Sequence, residues 1–190
     1  LRTDSSRSIA YQLHARYGLP ESSRSAAPSL AATSGRRGPD VFRVYTDARG
    51  GAVDPSNLVA GSVVRVALYA RLPSEVPRSR RGYLAITDRL PAGFEPIDPD
   101  LATVASDPGV GDEHPFAALI RGGTERADHV ELGDDAVRIY FDSVSGDELC
   151  ATYLARATTP GTFAAPPAAA ELMYEPDSSS YSAAARVVIR

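Results

Sequence analysis

Pro160, Pro166, Pro167 and Pro176 punctuate one late stretch of this chain and exclude a helix across it. The stretch turns at Pro160-Gly161, runs extended through Phe163, and presents Leu172, Met173 and Tyr174 just before its last proline. A strand-like run, Ala151 to Ala157, precedes it, and another, Ala184 to Ile189, follows.

The same texture extends back along the chain. Val41 to Tyr45 alternates, and turns follow at Asp47 to Gly51 and at Asp54-Pro55. The β-branched run Val63 to Leu72 reads as a strand, as does Tyr83 to Asp88. Between them, Pro73 to Arg81 reads as a polar hairpin loop, and Leu90 to Phe94 as a tight bend. His129 to Glu131 faces Val137 to Phe141 across a Gly133-Asp134-Asp135 turn, and Gly146-Asp147 turns into Leu149 to Ala157. These signals predict about seven to nine short strands, an all-β fold built as an antiparallel β-sandwich. Pro115 to Ile120 is expected to form a short helix inside an insertion over residues 96–126.

Ahead of the sandwich, Ile9 to Tyr17 has apolar residues at period two and reads as a strand. Residues 21–40 are rich in serine, alanine, glycine, proline and arginine, a linker composition. The expected organisation is therefore a strand over 1–20 from, or shared with, a preceding domain, a linker over 21–40, and a sandwich over 41–190. Leu1 is not an initiator methionine, so the chain is expected to be part of something longer.

Composition narrows the function classes. The 43% apolar content can fill a core, and a net charge of −4 points to neither nucleic acid nor an anionic membrane. No apolar run is long enough to span a bilayer. No Gly-x-Ser-x-Gly elbow occurs, and His14, His114 and His129 have no metal-ligand spacing. The acidic loop from Asp98 to Glu113 does not follow a calcium-loop pattern. Arg78, Arg80 and Arg81 read as a loop that keeps a sheet edge soluble. The expectation is a non-catalytic domain with no cofactor and no metal.

Two phrases carry a resemblance. The first is Ala157-Thr158-Thr159-Pro160-Gly161-Thr162-Phe163, then Pro166-Pro167, then Ala170-Glu171-Leu172-Met173-Tyr174-Glu175-Pro176. The second is Gly51-Ala52-Val53-Asp54, then Leu58 to Val66, then Asp88-Arg89-Leu90-Pro91-Ala92-Gly93-Phe94-Glu95. Together they resemble the C-terminal macroglobulin-like domain of bacterial alpha-2-macroglobulins, over roughly Val41 to Ile189. Ala52 and Ala136 depart from the family phrases, which carry proline and arginine there.

That resemblance implies a β-sandwich of immunoglobulin- or fibronectin-like architecture in a large bait-and-trap protease inhibitor of the periplasm or envelope. Its partners would be the preceding domains of the same polypeptide, above all a thioester domain, and target proteases through the whole protein. The family's thioester motif is Cys-x-Glu-Gln; around Cys150 the acid precedes the cysteine and no glutamine follows, so Cys150 is expected to be a small buried strand residue. The resemblance assigns thioester shielding, or interdomain contact, to Met173 and Tyr174. On the residues alone, packing of that pair within the sandwich or its edge is the favoured reading, and the resemblance puts the interface role ahead of it. A structural or adhesion module of a bacterial surface protein is the alternative function, resting on Thr87-Asp88-Arg89-Leu90-Pro91-Ala92-Gly93; the chain shows no internal repeat.

Overall fold

The computed structural model describes residues 38–47, 51–98, 127–175 and 178–190. The expected strand at Ile9 to Tyr17, residues 21–37 of the linker expected over 21–40, and the helix at Pro115 to Ile120 lie outside these residues. The end of that linker is part of the fold, with Gly38 and Pro39 buried and Asp40 opening a strand. Within them the protein is an antiparallel β-sandwich.

One sheet has the order β1-β2-β7-β4, from Asp40–Asp47, Val63–Arg71, Glu148–Ala157 and Phe94–Ile97. The facing sheet has the order β10-β9-β3-β6-β5, from Ser179–Tyr181, Ala169–Leu172, Leu84–Arg89, Ala136–Phe141 and His129–Leu132. A two-stranded ribbon pairs β8 (Gly161–Ala165) with β11 (Ala185–Ile189). All these pairings are antiparallel. The loop beside the ribbon is fastened by Leu58, which donates to the Val188 carbonyl at 2.9 Å and accepts from the Arg190 amide at 2.9 Å.

The period of two decides what fills the interior. Val64, Val66, Leu68 and Ala70 of β2 face inward, as do Leu149, Ala151, Tyr153 and Ala155 of β7. Leu84 and Ile86 of β3 and Val137, Ile139 and Phe141 of β6 meet them from the other sheet. Strand β2 is buried on both faces, which explains its unbroken apolar run. Its outward Ala67 and Tyr69 share a second apolar cluster with Cys150, Phe42 and Val44.

Two expectations change. Pro73 to Arg81 is no hairpin loop: β2 pairs with β1 and β7, whereas β3 pairs with β6 and β9, so the loop crosses between the sheets. Its one regular element is a 3-10 turn, Arg78–Arg80. The proline-rich stretch holds two short strands in different sheets, β8 and β9, separated by Pro166-Pro167. Prolines suit that position because neither strand needs an amide donor there.

The second motif phrase forms the bend into β4. A Cβ at Gly93 would lie 2.5 Å from Phe163 Cε2 and 2.7 Å from Ile189 Cδ1. The same Phe163 ring lies against Gly161, whose φ of +152° is open to glycine. The two phrases therefore meet in space, and the Thr158 amide also donates to the Gly93 carbonyl at 2.8 Å.

Candidate functional site

Strand β9 ends at Leu172, which is buried in the core. Its ladder with β3 pairs Leu84 with Leu172. One further bond extends that ladder: the Met173 amide donates to the Tyr83 carbonyl at 2.9 Å. The chain then turns, with the Glu175 amide donating to the Leu172 carbonyl at 2.9 Å and the Ser178 amide to the Glu175 carbonyl at 2.9 Å. That turn takes Met173 and Tyr174 off the strand and into solvent.

Met173 is 53% exposed and Tyr174 73% exposed, so neither packs within the sandwich. Tyr83, 49% exposed, stands beside them, and its ring meets Tyr174 edge-to-face with centroids 4.9 Å apart. A thioether and two phenol rings thus form one exposed apolar tip. Such a grouping is unusual on a free surface, and Met and Tyr are residue types that concentrate where surfaces meet.

The arginine loop braces the tip. Arg80 Nε and Nη2 donate to the two carboxylate oxygens of Glu175, at 2.6 and 2.7 Å. Arg81 is buried: it pairs with Asp147 and donates to the carbonyls of Val76 at 2.9 Å and Gly146 at 3.2 Å. The reading of these arginines as solubilising residues therefore fails for Arg81, whose charge anchors the crossover. Beside Arg81, the Asp147 carboxyl is held below its ordinary value, first by the hydrogen bond and then by the charge.

Tyr83 and the brace were not legible in the sequence. Tyr83 reads as the first residue of an ordinary strand, yet its φ is +58°. No local signal announces a left-handed tyrosine.

A second polar constellation lies inside the sandwich. Arg43 of β1 donates to Asp88 Oδ1 at 2.6 Å and to the Ala165 carbonyl at 3.2 Å. Tyr153 of β7 donates to Asp88 Oδ2 at 2.8 Å. Its sequence signal is phase: Arg43 alternates with the inward Val41 and Tyr45, and Asp88 with the inward Leu84 and Ile86.

Cys150 is buried on β7, as expected, and burial pushes its thiol up to about 11. His129 is exposed on β5 and stacks on Tyr140 at 5.9 Å between centroids. His14 and His114 lie outside the described residues, as does the acidic loop beyond Asp98. Among the described residues no group of three or more His, Cys, Asp or Glu could hold a metal, and no helix is long and apolar enough to cross a membrane.

An exposed thioether beside two phenol rings can bury itself against another surface. Comparison with known proteins gives that surface a context. The model of the bacterial alpha-2-macroglobulin MG10 domain matches residues 38–177. An alpha-2-macroglobulin homolog of Nostoc sp. is 29% identical over 140 residues, which cover 71% of this chain and 6% of that protein. Native alpha-2-macroglobulin of Escherichia coli, solved from domain MG7 to the C-terminus, is 27% identical with a TM-score of 0.65, over 82% of this chain and 24% of that one. The trypsin-activated E. coli protein is 25% identical with a TM-score of 0.64, over 80% of this chain and 11% of that one. The chain thus spans a small part of the length of these relatives. Residues 38–177 include both motif phrases as far as Pro176 and the whole exposed tip, and on that match the chain belongs to the bacterial alpha-2-macroglobulin MG10 domain family.

Proposed function

We propose that this domain is the closing, non-catalytic domain of a bait-and-trap protease inhibitor of the bacterial envelope, and that Met173 and Tyr174 cover a thioester carried by a neighbouring domain of the same polypeptide. The observation that supports this is the tip itself. The large apolar residues of the domain are mostly interior, whereas Met173 and Tyr174 are delivered outward by a hydrogen-bonded turn. The chemistry matches the task. A thioester survives only where water and amines are excluded, and a flexible thioether beside a broad phenol ring seals an irregular gap. Cleavage of the bait by a protease would shift the neighbouring domain off the tip, expose the acyl carbon, and let an amine of the protease attack it.

Met173→Asp in the full-length protein tests this reading. Methylamine attacks the acyl carbon, the C–S bond breaks, and the sulfur leaves as a thiol that takes up the amine's proton. The rate of thiol release therefore reports how well the thioester is covered. A buried charge at the seal should raise that rate by about tenfold or more. An unchanged rate would remove Met173 from the cover.

A further inference from the structure

The backbone strain of this domain sits at the tip. Tyr83 is the non-glycine residue at positive φ among the described residues, at +58°. A bulky aromatic side chain rarely adopts that conformation, because its Cβ crowds the following carbonyl. Glycine would take it without cost, and a glycine is at hand one position earlier, at Gly82. The chain instead places a tyrosine on the strained position. Strain of this kind persists only where the surroundings over-determine it.

The surroundings here are the tip. The Tyr83 amide donates to the Asp142 carbonyl at 3.1 Å, which ties the residue to the end of β6. Its carbonyl accepts from the Met173 amide at 2.9 Å, and its ring lies edge-on to Tyr174. One residue therefore fixes both the backbone of the methionine and the ring of the following tyrosine. From the far side, the Arg80–Glu175 pair holds the next residue of the same turn.

We infer that Tyr83 is a positioning residue for the Met173–Tyr174 tip: it holds the tip in its docking conformation before any partner arrives. A tip ordered in advance loses less conformational freedom on docking, so a small surface can hold a neighbouring domain. The inference about docking rests on the covering role proposed above; the inference about order does not.

The test uses the full-length protein with Tyr83→Asn and Tyr83→Phe. Asparagine tolerates the left-handed backbone but removes the ring, whereas phenylalanine keeps the ring. In Tyr83→Asn, the melting temperature should stay level or rise, hydrogen exchange across residues 172–175 should accelerate, and methylamine-driven thiol release should rise about two- to tenfold. Tyr83→Phe should match the wild type in all three. Wild-type exchange across 172–175 in Tyr83→Asn would overturn the positioning role. Faster exchange with unchanged thiol release would overturn its link to docking, provided that Met173→Asp does raise the release. If Met173→Asp also leaves release unchanged, the covering role falls, and the exchange measurement alone decides on Tyr83.

Discussion

The Tyr153 hydroxyl donates to the Asp88 carboxylate at 2.8 Å, and so joins the two sheets through the middle of the core. Arg43 completes the contact from β1, with its side chain 3% and that of Asp88 1% exposed. Two ionised groups at such depth are costly to bury, and their mutual attraction offsets that cost only while both are present. Asp88→Asn removes the carboxylate's own burial cost together with its pull on Arg43, and what remains is the loss of a matched acceptor for two buried donors, which should destabilise the domain by about 1–3 kcal/mol. Tyr153→Phe removes one hydrogen bond to a charged acceptor and should cost about 2 kcal/mol. Adding Arg43→Met to Asp88→Asn should recover part of the loss, with a coupling above about 1.5 kcal/mol. Urea denaturation of the wild type, Asp88→Asn, Arg43→Met and the double variant closes this cycle; strictly additive losses would mean the pair is not coupled.

Two carboxylates should respond to acid with opposite signs. Burial pushes the Asp88 carboxyl above its ordinary value, and Arg43 and Tyr153 pull it only part of the way back. Folded Asp88 then holds a proton at a pH where the unfolded chain has released its own. Its contribution is fully present below the ordinary aspartate value of about 3.9 and is lost as pH rises through the raised one. Asp147, held low by Arg81, contributes above the ordinary value and loses that contribution as pH falls through its own lowered one. On acidification from neutral, the stability gap between wild type and Asp88→Asn should widen, and the gap to Asp147→Asn should narrow. Unfolding free energies at three or four pH values decide both signs.

Cys150 should be silent in the folded protein. It is 3% exposed, and burial pushes its thiol up to about 11, so almost no thiolate exists near neutral pH. Native protein at pH 8 should show no labelling at Cys150 by a disulfide-exchange reagent, and full labelling there in denaturant. Rapid native labelling at this position would contradict the burial, and would also spoil thiol release as a readout of the thioester.

Local pattern carried the strands with strong alternation or a clear turn. Val63 to Leu72 became β2, and the Gly133-Asp134-Asp135 turn joined β5 to β6. Sheet membership left no such mark. Pro73 to Arg81 looks like a hairpin because its flanks are strands, but strand partners are chosen by the packed core, not by loop composition. The short strands β8, β9 and β10 were similarly hidden, since three to five residues among prolines and serines give little periodicity. At the tip, Met173 and Tyr174 were singled out by the resemblance that a long phrase of residues carries, and their exposure had no mark in the local pattern. Arg81 was not, because its counter-ion Asp147 lies 66 residues away.

Gly93 offers the sharpest test of why the two phrases meet. The Phe163 ring and the Ile189 side chain already fill the space a Cβ would need, at 2.5 and 2.7 Å. Phe163 has little room to retreat, because its ring also lies against Gly161, at 2.8 Å from where a Cβ there would sit. Overpacking of this kind costs about 1–3 kcal/mol, so Gly93→Ala should destabilise the domain by that amount. The cause can be separated from any backbone effect: Gly93 does not take a positive φ, so alanine there meets a steric objection and not a conformational one. In a background carrying both Phe163→Ala and Ile189→Val, which removes the ring and the Cδ1 methyl together, the same Gly93→Ala change should therefore cost close to nothing. Equal losses in both backgrounds would locate the constraint in the backbone of the bend, and a neutral Gly93→Ala would show that the ring can move aside.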